Sequence, residues 1–242
     1  MTRNETATAR TLLLDVPGWP GHLPGQHVAV KLTAEDGYSA QRDYSIAGPP
    51  ADDRLELTVQ RQDDGEVSSY LAGVAEPGDQ FEVRGPIGGW FAWPPADPRP
   101  LLLLAGGSGV VPLMSMIRTH AQVNSQVQVR LIYSARTPAD VIYATELAER
   151  ERVSPLTVTY LYTRAAPPAS AAEPVTPPAP PAARVFAGRL SAAVLAEVAF
   201  PSAADPAIFV CGPSGFVESA SGLLVAAGHP PGSIKTERFG PT

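Results

Sequence analysis

The residues best suited to chemistry lie in a glycine-rich turn, Gly106-Gly107-Ser108-Gly109. An unbroken apolar run, Leu101–Ala105, precedes the turn and predicts a strand that is buried on both faces. Pro112 follows and suits the first turn of a helix. A strand, a glycine turn and a helix N-terminus together present free N–H groups and a positive dipole end, which bind phosphate. The pattern predicts a nucleotide site, and its alternative is a plain βα turn without a ligand.

A second set of such residues is Arg42-Asp43-Tyr44-Ser45. The guanidinium of Arg42 offers a planar fork of donors for a phosphate. Tyr44, two residues later on the same side of a strand, can stack on a flat heterocycle, and Ser45 can bond a ring nitrogen. The alternative is an exposed edge strand with a surface arginine and a half-buried tyrosine.

Two further glycine turns follow. Gly65-Glu66-Val67-Ser68-Ser69 predicts a turn that opens a short helix, with hydroxyls where a phosphate would bind. Its alternative is a capped short helix without a ligand. The segment 85–91 (Gly-Pro-Ile-Gly-Gly-Trp-Phe) predicts either another ligand contact or a hairpin turn with aromatic packing.

Three of these motifs, Arg42–Ser45, Gly65–Ser69 and the segment 85–91, together resemble the flavin-binding signatures of the ferredoxin–NADP reductase family. The resemblance implies FAD, with Arg42 on a flavin phosphate, Tyr44 stacked on the isoalloxazine and Ser45 near N5. The glycine–serine turn would hold the pyrophosphate, and the backbone near Thr58 would follow the ribityl chain. The implied FAD-binding residues are Arg42, Tyr44, Ser45, Thr58, Val59, Gly65, Val67, Ser68, Ser69 and Phe239.

The same resemblance extends to the second half of the chain. Gly106–Pro112 is similar to the segment that receives the NAD(P) pyrophosphate, and Cys211-Gly212-Pro213 to the second nicotinamide-side segment. Glu237-Arg238-Phe239 resembles the family's closing Glu-x-Phe, in which the ring covers the flavin. The residues implied beside hydride transfer are Ser45, Cys211 and Glu237. The implied NAD(P)-binding residues are Gly107, Ser108, Gly109, Val110, Val111, Pro112, Arg136, Arg164, Cys211, Gly212 and Pro213.

Simpler interpretations stay open for some of these residues. Cys211 can be a small buried hydrophobe, and the C-terminal segment an ordinary tail. Arg136 and Arg164 follow predicted strands with no acidic residue directly at either place, which favours NADPH. However, the stretch Arg136–Asp140 also resembles NADH-using relatives, so both coenzymes remain candidates.

The elements that position these motifs change character along the chain. Short strand-like runs separated by Pro-Gly and Asp-Gly turns predict a small antiparallel barrel or sandwich. After the proline-rich hinge 93–100, alternating strands and helices predict a parallel sheet with helices on both faces. The predicted strands are Thr11–Val16, Gln26–Leu32, Leu55–Gln60, Gln80–Arg84, Leu101–Ala105, Val127–Tyr133, Leu156–Tyr162 and Ile208–Cys211. The predicted helices are Pro112–Ala121, Asp140–Glu151, Ser191–Val198 and Gly215–Ala227.

The expected fold class is therefore β followed by α/β. An N-terminal antiparallel flavin-binding β-barrel at 1–96 precedes a C-terminal parallel-sheet nucleotide-binding domain at 97–242. The Pro/Ala-rich stretch 165–183 is expected to be a mobile loop. Because a barrel normally has a strand before the first one predicted here, a clipped first strand is also expected.

Composition excludes several classes of protein. A net charge of −6 without a basic run argues against nucleic acid and anionic membrane surfaces. The single cysteine excludes an internal disulfide and a Cys-ligated zinc or iron–sulfur site in these residues. Four histidines without ligand spacing predict no metal site. No signal peptide or membrane-spanning run is visible, so no membrane insertion and a cytoplasmic location are expected.

The predicted activity is a flavin-dependent NAD(P)H reductase. Hydride would pass from NADPH or NADH to FAD, and single electrons then to a separate acceptor such as a ferredoxin. One alternative is a flavin, ferric or diaphorase-type reductase with a small-molecule acceptor. The others are an electron-transfer subunit of a larger redox complex and a nucleotide-binding module without activity.

Overall fold

The computed structural model describes residues 1–50, 54–164 and 184–240. The chain forms two compact units, Met1–Pro95 with Val111–Val123 and Ala96–Val110 with Asn124–Thr242. The division predicted between residues 96 and 97 differs from these units at the helix 111–123, which packs with the first unit. The loop predicted at 165–183 lies outside the described residues.

Six strands build the first unit as two antiparallel three-stranded sheets, β1-β2-β5 and β4-β3-β6. Apolar residues alternate along β3 and β5 and meet in one core, as period-two patterning dictates. An isolated bridge between Ile46 and Leu57 joins the segment after β4 to β5. The strands are β1 (Thr2–Asn4), β2 (Ala9–Asp15), β3 (His27–Thr33), β4 (Ser39–Ser45), β5 (Arg54–Gln60) and β6 (Glu82–Ile87).

A helical turn follows Gly65, as predicted. It consists of α1 (Glu66–Ser69) and a π-helical turn, Tyr70–Val74. Val67 and Leu71 are buried in the core of the same unit, which fixes the turn against the sheets.

The helix α2 (Val110–Gln122) begins two residues before Pro112, where the sequence placed its start. Every residue from Val110 to His120 is buried. Gly25 explains part of this packing, because a Cβ there would collide with the carbonyl oxygen of Phe91 and lie 2.7 Å from Met116 Cε. Its φ of +95° also requires glycine.

The second unit is built on a six-stranded parallel sheet in the order β10-β9-β8-β7-β11-β12. The central strand β7 is buried at every position, as its unbroken apolar run predicts. Alternate residues of the central strands, including Leu102, Ile132 and Val210, pack under α4 and α5. The strands are β7 (Leu101–Gly106), β8 (Val129–Ala135), β9 (Leu156–Tyr162), β10 (Arg184–Ala187), β11 (Ala207–Gly212) and β12 (Ile234–Arg238). The helices are α3 (Ala144–Val153), α4 (Ala192–Val198) and α5 (Ser214–Ala226).

The opposite face of this sheet is covered at Tyr133, the neighbour of Ile132 on β8. Its hydroxyl accepts a hydrogen bond from the Ile142 amide at 3.2 Å, just before α3. Within the described ranges, no helix combines the length and apolar character that crossing a bilayer requires.

Candidate functional site

Strand β4 carries the first candidate set at the edge of its sheet, where β3 is its pairing partner among the described residues. Arg42 is exposed, and its Nη1 donates to the Gln41 carbonyl at 2.7 Å. Tyr44 is half-buried against the core. Burial raises the pKa of Tyr44 to about 12, while the positive charge of Arg42 acts in the opposite direction. The strand therefore presents an exposed guanidinium and a neutral ring two residues apart on one side.

The turn at Gly65 is closed by its own serines. Ser68 is buried, and its hydroxyl donates to the Gly65 carbonyl and accepts from the Gln62 amide, both at 3.1 Å. Ser69 Oγ donates to the Gln62 carbonyl at 3.3 Å. A Cβ at Gly65 would collide with Ser68 Oγ, so a side chain at this position would displace the serine hydroxyl from its hydrogen bonds. The Ser68 hydroxyl thus shapes the turn, and the backbone N–H groups at the start of α1 remain the natural anion donors.

Three other residues assigned to FAD point their side chains into the protein. Thr58 is buried and shares a 2.8 Å hydrogen bond between its hydroxyl and that of Thr11. Val59 and Val67 are buried in the core. Only the backbone atoms of these three residues can therefore contact a ligand.

The chemistry of this donor set fits a flavin nucleotide. An exposed guanidinium suits a phosphate, a half-buried neutral ring suits a flat heterocycle, and a glycine turn admits a pyrophosphate. Ser45 ends β4 directly after Tyr44, with its own side chain half-buried.

In the second unit, the turn after β7 packs against the turn after β11. A Cβ at Gly109 would collide with the carbonyl oxygen of Cys211. A Cβ at Gly106 would lie 2.8 Å from the Phe216 ring, and one at Gly212 would lie 3.0 Å from it. These three glycines are therefore required by the close approach of the two turns.

Gly107 differs from them. It has a φ of +54°, and a Cβ there would meet nothing within 4 Å. Gly107 and Ser108 are the accessible residues of the turn, whereas Val110, Val111 and Pro112 are buried. The open space beside Gly107 suits the approach of a phosphate to the backbone.

Cys211 and Glu237 face each other at the carboxyl ends of β11 and β12, where their Cα atoms are register partners. Cys211 is fully buried, and its Sγ donates to Glu237 Oε2 at 3.8 Å. Burial, together with the charge of Glu237, raises the pKa of the Cys211 thiol well above its usual range. Burial also raises the pKa of Glu237 to about 7, partly opposed by the hydrogen bond from the thiol.

Phe239 follows directly, with its amide donating to the Gly212 carbonyl at 3.3 Å. The second unit thus brings Cys211, Gly212, Glu237 and Phe239 together at the carboxyl ends of adjacent strands. In parallel sheets this edge is where ligands bind.

The two arginines considered for coenzyme choice also lie side by side. The Arg164 amide donates to the Arg136 carbonyl at 2.9 Å, and both side chains are exposed. Asp140 accepts from the Thr137 amide at 3.0 Å and the Thr137 hydroxyl at 2.7 Å. Arg136 Nη2 lies 3.4 Å from the same carboxylate. Asp140 is therefore committed to closing its own turn.

Sequence reasoning missed a buried polar cluster in the first unit, in which Ser115 and Arg118 of α2 bind the carbonyls of Ala47 and Gly48. The available signal was the spacing of Ser115 and Arg118, three residues apart in an apolar helix. The same spacing is equally typical of a polar stripe that faces solvent.

Two family models match the chain, described as the oxidoreductase FAD-binding domain over residues 8–91 and the oxidoreductase NAD-binding domain over residues 103–222. The chain belongs to the ferredoxin–NADP reductase-like family. The predicted β plus α/β fold class is confirmed, as is the pairing of an FAD-binding with an NAD-binding domain.

Relatives of this reductase-like chain include the glycine betaine monooxygenase reductase subunit of Chromohalobacter salexigens. It is 32% identical over 243 residues, which cover 98% of this chain and 62% of the relative. The ferredoxin reductase component of 3-ketosteroid-9-alpha-monooxygenase from Mycobacterium tuberculosis is 30% identical over 247 residues, 98% of this chain and 63% of that protein. The chain thus spans about three fifths of these relatives' length.

Among solved structures, the reductase-like chain resembles the FAD/NAD-binding domain of nitric oxide dioxygenase from Vibrio cholerae. The TM-score is 0.84 at 25% identity, and the match covers 100% of this chain and 96% of that domain.

Proposed function

We propose that the chain is an FAD-dependent NAD(P)H oxidoreductase that delivers electrons to a separate acceptor such as a ferredoxin. The observation that carries the proposal is the Cys211–Glu237 pair beside two packed glycine turns, in a chain that also has an FAD-binding domain. FAD, when bound, accepts a hydride and can release its electrons one at a time.

In the first unit, Arg42 neutralises a flavin phosphate and Tyr44 supports the ring system. Tyr44 is protonated at neutral pH, as a phenol with an ordinary pKa of about 10 is, and burial raises its pKa further, so its ring adds no negative charge beside the flavin. Ser45 contributes a hydroxyl to the ring edge. The Gly65 turn supplies backbone donors for the pyrophosphate.

In the second unit, Gly107 and Ser108 receive the coenzyme's pyrophosphate. Cys211 stays a neutral thiol, which positions the nicotinamide and excludes water without acting as a nucleophile. Glu237 can hold or release a proton at its carboxylate near neutral pH, because its pKa lies at about 7. Phe239, next to this pair, would be the aromatic side chain that covers the site before the nicotinamide binds.

The coenzyme that this arrangement favours is NADPH. Arg136 and Arg164 place two exposed guanidinium groups at the ends of neighbouring strands, where a 2′-phosphate needs cationic partners. The nearby carboxylate of Asp140 is engaged by Thr137 and Arg136, which supports phosphate over ribose hydroxyl recognition.

The electrons leave to a group outside these 242 residues, because one cysteine cannot ligate an iron–sulfur cluster. The relatives named as reductase subunits or components of monooxygenases support an oxygenase system as the destination. We propose a ferredoxin as the acceptor between the two, and the cytoplasm, where NAD(P)H is available, as the compartment of the reaction.

Stopped-flow spectroscopy tests the proposal. The yellow FAD-loaded protein is mixed anaerobically with NADPH or NADH, and the bleaching of the flavin is followed. The reduced protein is then mixed with a ferredoxin or with ferricyanide. We expect fast bleaching, a lower Kd for NADPH and rapid reoxidation by ferredoxin. A flavin that neither coenzyme bleaches would contradict the proposal, and reoxidation by small molecules alone would support the diaphorase-type alternative.

A further inference from the structure

Helix α2 carries two buried polar side chains whose partners lie just after Ser45. Ser115 is completely buried, and its Oγ donates to the Gly48 carbonyl at 2.6 Å. Arg118 is 7% exposed, and its Nη1 donates to the Ala47 carbonyl at 2.9 Å. Both contacts fall within the first compact unit.

Strand β5 completes this cluster through Glu56. Its carboxylate Oε1 lies 2.8 Å from Arg118 Nη1, and its carbonyl accepts from the Ala47 amide at 2.8 Å. The Gly48 carbonyl also lies 3.1 Å from His22 Nε2. The segment that follows β4 is therefore held through the amide of Ala47 and through the carbonyls of Ala47 and Gly48, all within three residues of Ser45.

These polar groups are more than packing requires. A buried hydroxyl and a buried guanidinium each lose hydration, and apolar side chains at the same helix positions would avoid that cost. The two polar side chains add directional contacts. Their hydrogen bonds to the Ala47 and Gly48 carbonyls fix the position of the backbone, which apolar contacts alone would leave free to shift. Their location beside Ser45 indicates what is being fixed.

The first residue of α2 follows directly on the glycine turn assigned to the coenzyme. Ser115 comes five residues after Val110, about 7.5 Å along the helix axis. Further along, the Met116 side chain packs at Gly25, and the His120 ring lies 6.2 Å from that of Trp93. α2 is thus held, within the first unit, to the segment that directly follows β4.

We infer that Ser115 and Arg118 are positioning residues for Ser45, at the flavin-contacting end of β4. The inference rests on the proposed function. Hydride transfer is sensitive to such placement, because a misplacement of 1 Å can cost roughly 10²-fold in rate.

The first test uses Ser115→Ala, with Thr119→Val as its matched control. Thr119 is equally buried in α2, but its hydroxyl donates within the helix, to the Ser115 carbonyl at 2.7 Å. Stopped-flow reduction by NADPH separates the limiting rate of flavin reduction from the coenzyme Kd. We expect Ser115→Ala to lower the limiting rate roughly tenfold, with FAD content and Kd unchanged. Thr119→Val should match the wild type. No loss in Ser115→Ala, or an equal loss in both variants, overturns the inference.

A second pair of variants separates charge and donation from bulk at Arg118. Arg118→Lys keeps a cationic donor for the Ala47 carbonyl and Glu56, whereas Arg118→Met keeps only the aliphatic volume. We expect Arg118→Lys to retain more of the limiting rate than Arg118→Met. Equal rates for the two variants would overturn the role of Arg118.

Hydrogen exchange gives a readout that needs no turnover. In the oxidised, FAD-loaded protein, Ser115→Ala should raise exchange at the Ala47 amide roughly fivefold. The amide keeps its own bond to the Glu56 carbonyl, but the segment opens more easily because the Ser115–Gly48 hydrogen bond is lost. Unchanged exchange at Ala47 in Ser115→Ala refutes the positioning role. Failure of both coenzymes to bleach the flavin overturns the proposed function alone, since the exchange result stands without electron transfer.

Discussion

Replacing Glu237 by glutamine should change the way in which stability depends on pH. In the folded chain, burial raises the pKa of Glu237 from 4.5 to about 7. The folded state therefore binds a proton more tightly than the unfolded state does. Stability from this group is fully present below about pH 4.5 and is lost as the pH rises through about 7. Glutamine keeps the shape of the protonated side chain and cannot lose the proton.

The size of the effect follows from the two pKa values. A difference between 4.5 and about 7 corresponds to at most about 3 kcal/mol between the two protonation states. Glu237 is only partly shielded from water, and screening lowers this ceiling to about 1–2 kcal/mol. Glu237→Gln should therefore match the wild type near pH 4.5 and become more stable by that amount at pH 8. For a chain of this size the gain equals about 2–8 °C in Tm.

Thermal unfolding of FAD-loaded wild type and variant between pH 4.5 and 8.5 measures this difference directly. Glu218→Gln, the same change at an exposed position of α5, is the control and should show no growing difference. A Tm difference between Glu237→Gln and wild type that stays constant across this range would refute the assignment of a raised pKa to burial.

Three other outcomes are expected. Arg42→Ala should weaken FAD binding about 10- to 100-fold in fluorescence titrations, through the loss of a charge-assisted contact, whereas exposed Arg54→Ala should not; equal losses would contradict the phosphate role. Cys211 should resist iodoacetamide at pH 8 until the chain is unfolded, as followed by mass spectrometry, because burial holds it as a thiol; rapid native labelling would disprove this. Arg136→Ala with Arg164→Ala should raise KM for NADPH and spare NADH, and equal effects on both would refute the 2′-phosphate assignment.

The strands with strong apolar patterns were predictable from the sequence. Leu101–Ala105 is the centre of a sheet covered on both faces, and β9 has the predicted bounds, Leu156–Tyr162. In both strands the burial that selects apolar side chains acts over the whole segment, so the pattern records it.

Strands fixed by their neighbours left a weaker trace. β4 has the sequence Ser-Ala-Gln-Arg-Asp-Tyr-Ser and pairs with β3 along its full length. β12 likewise pairs with β11, for example at Cys211 and Glu237. Short edge strands, β1 and β10, were missed for the same reason. Intrinsic propensity is a weak signal where a neighbouring strand supplies the hydrogen bonds.

The candidate site shows the same division between what residues can do and what holds them. Residue types predict the ligand chemistry of Arg42 and Tyr44, because donor geometry and ring shape belong to single side chains, whereas the role of Cys211 came from the family resemblance alone. The supports are properties of pairs that are distant in sequence. Gly109 is required by the carbonyl of Cys211, and Ser115 by that of Gly48, so neither requirement is visible before the chain is folded. For Ser115 in particular, a hydroxyl in a helix buried from Val110 to His120 has no water to face, and its partner alone explains its presence.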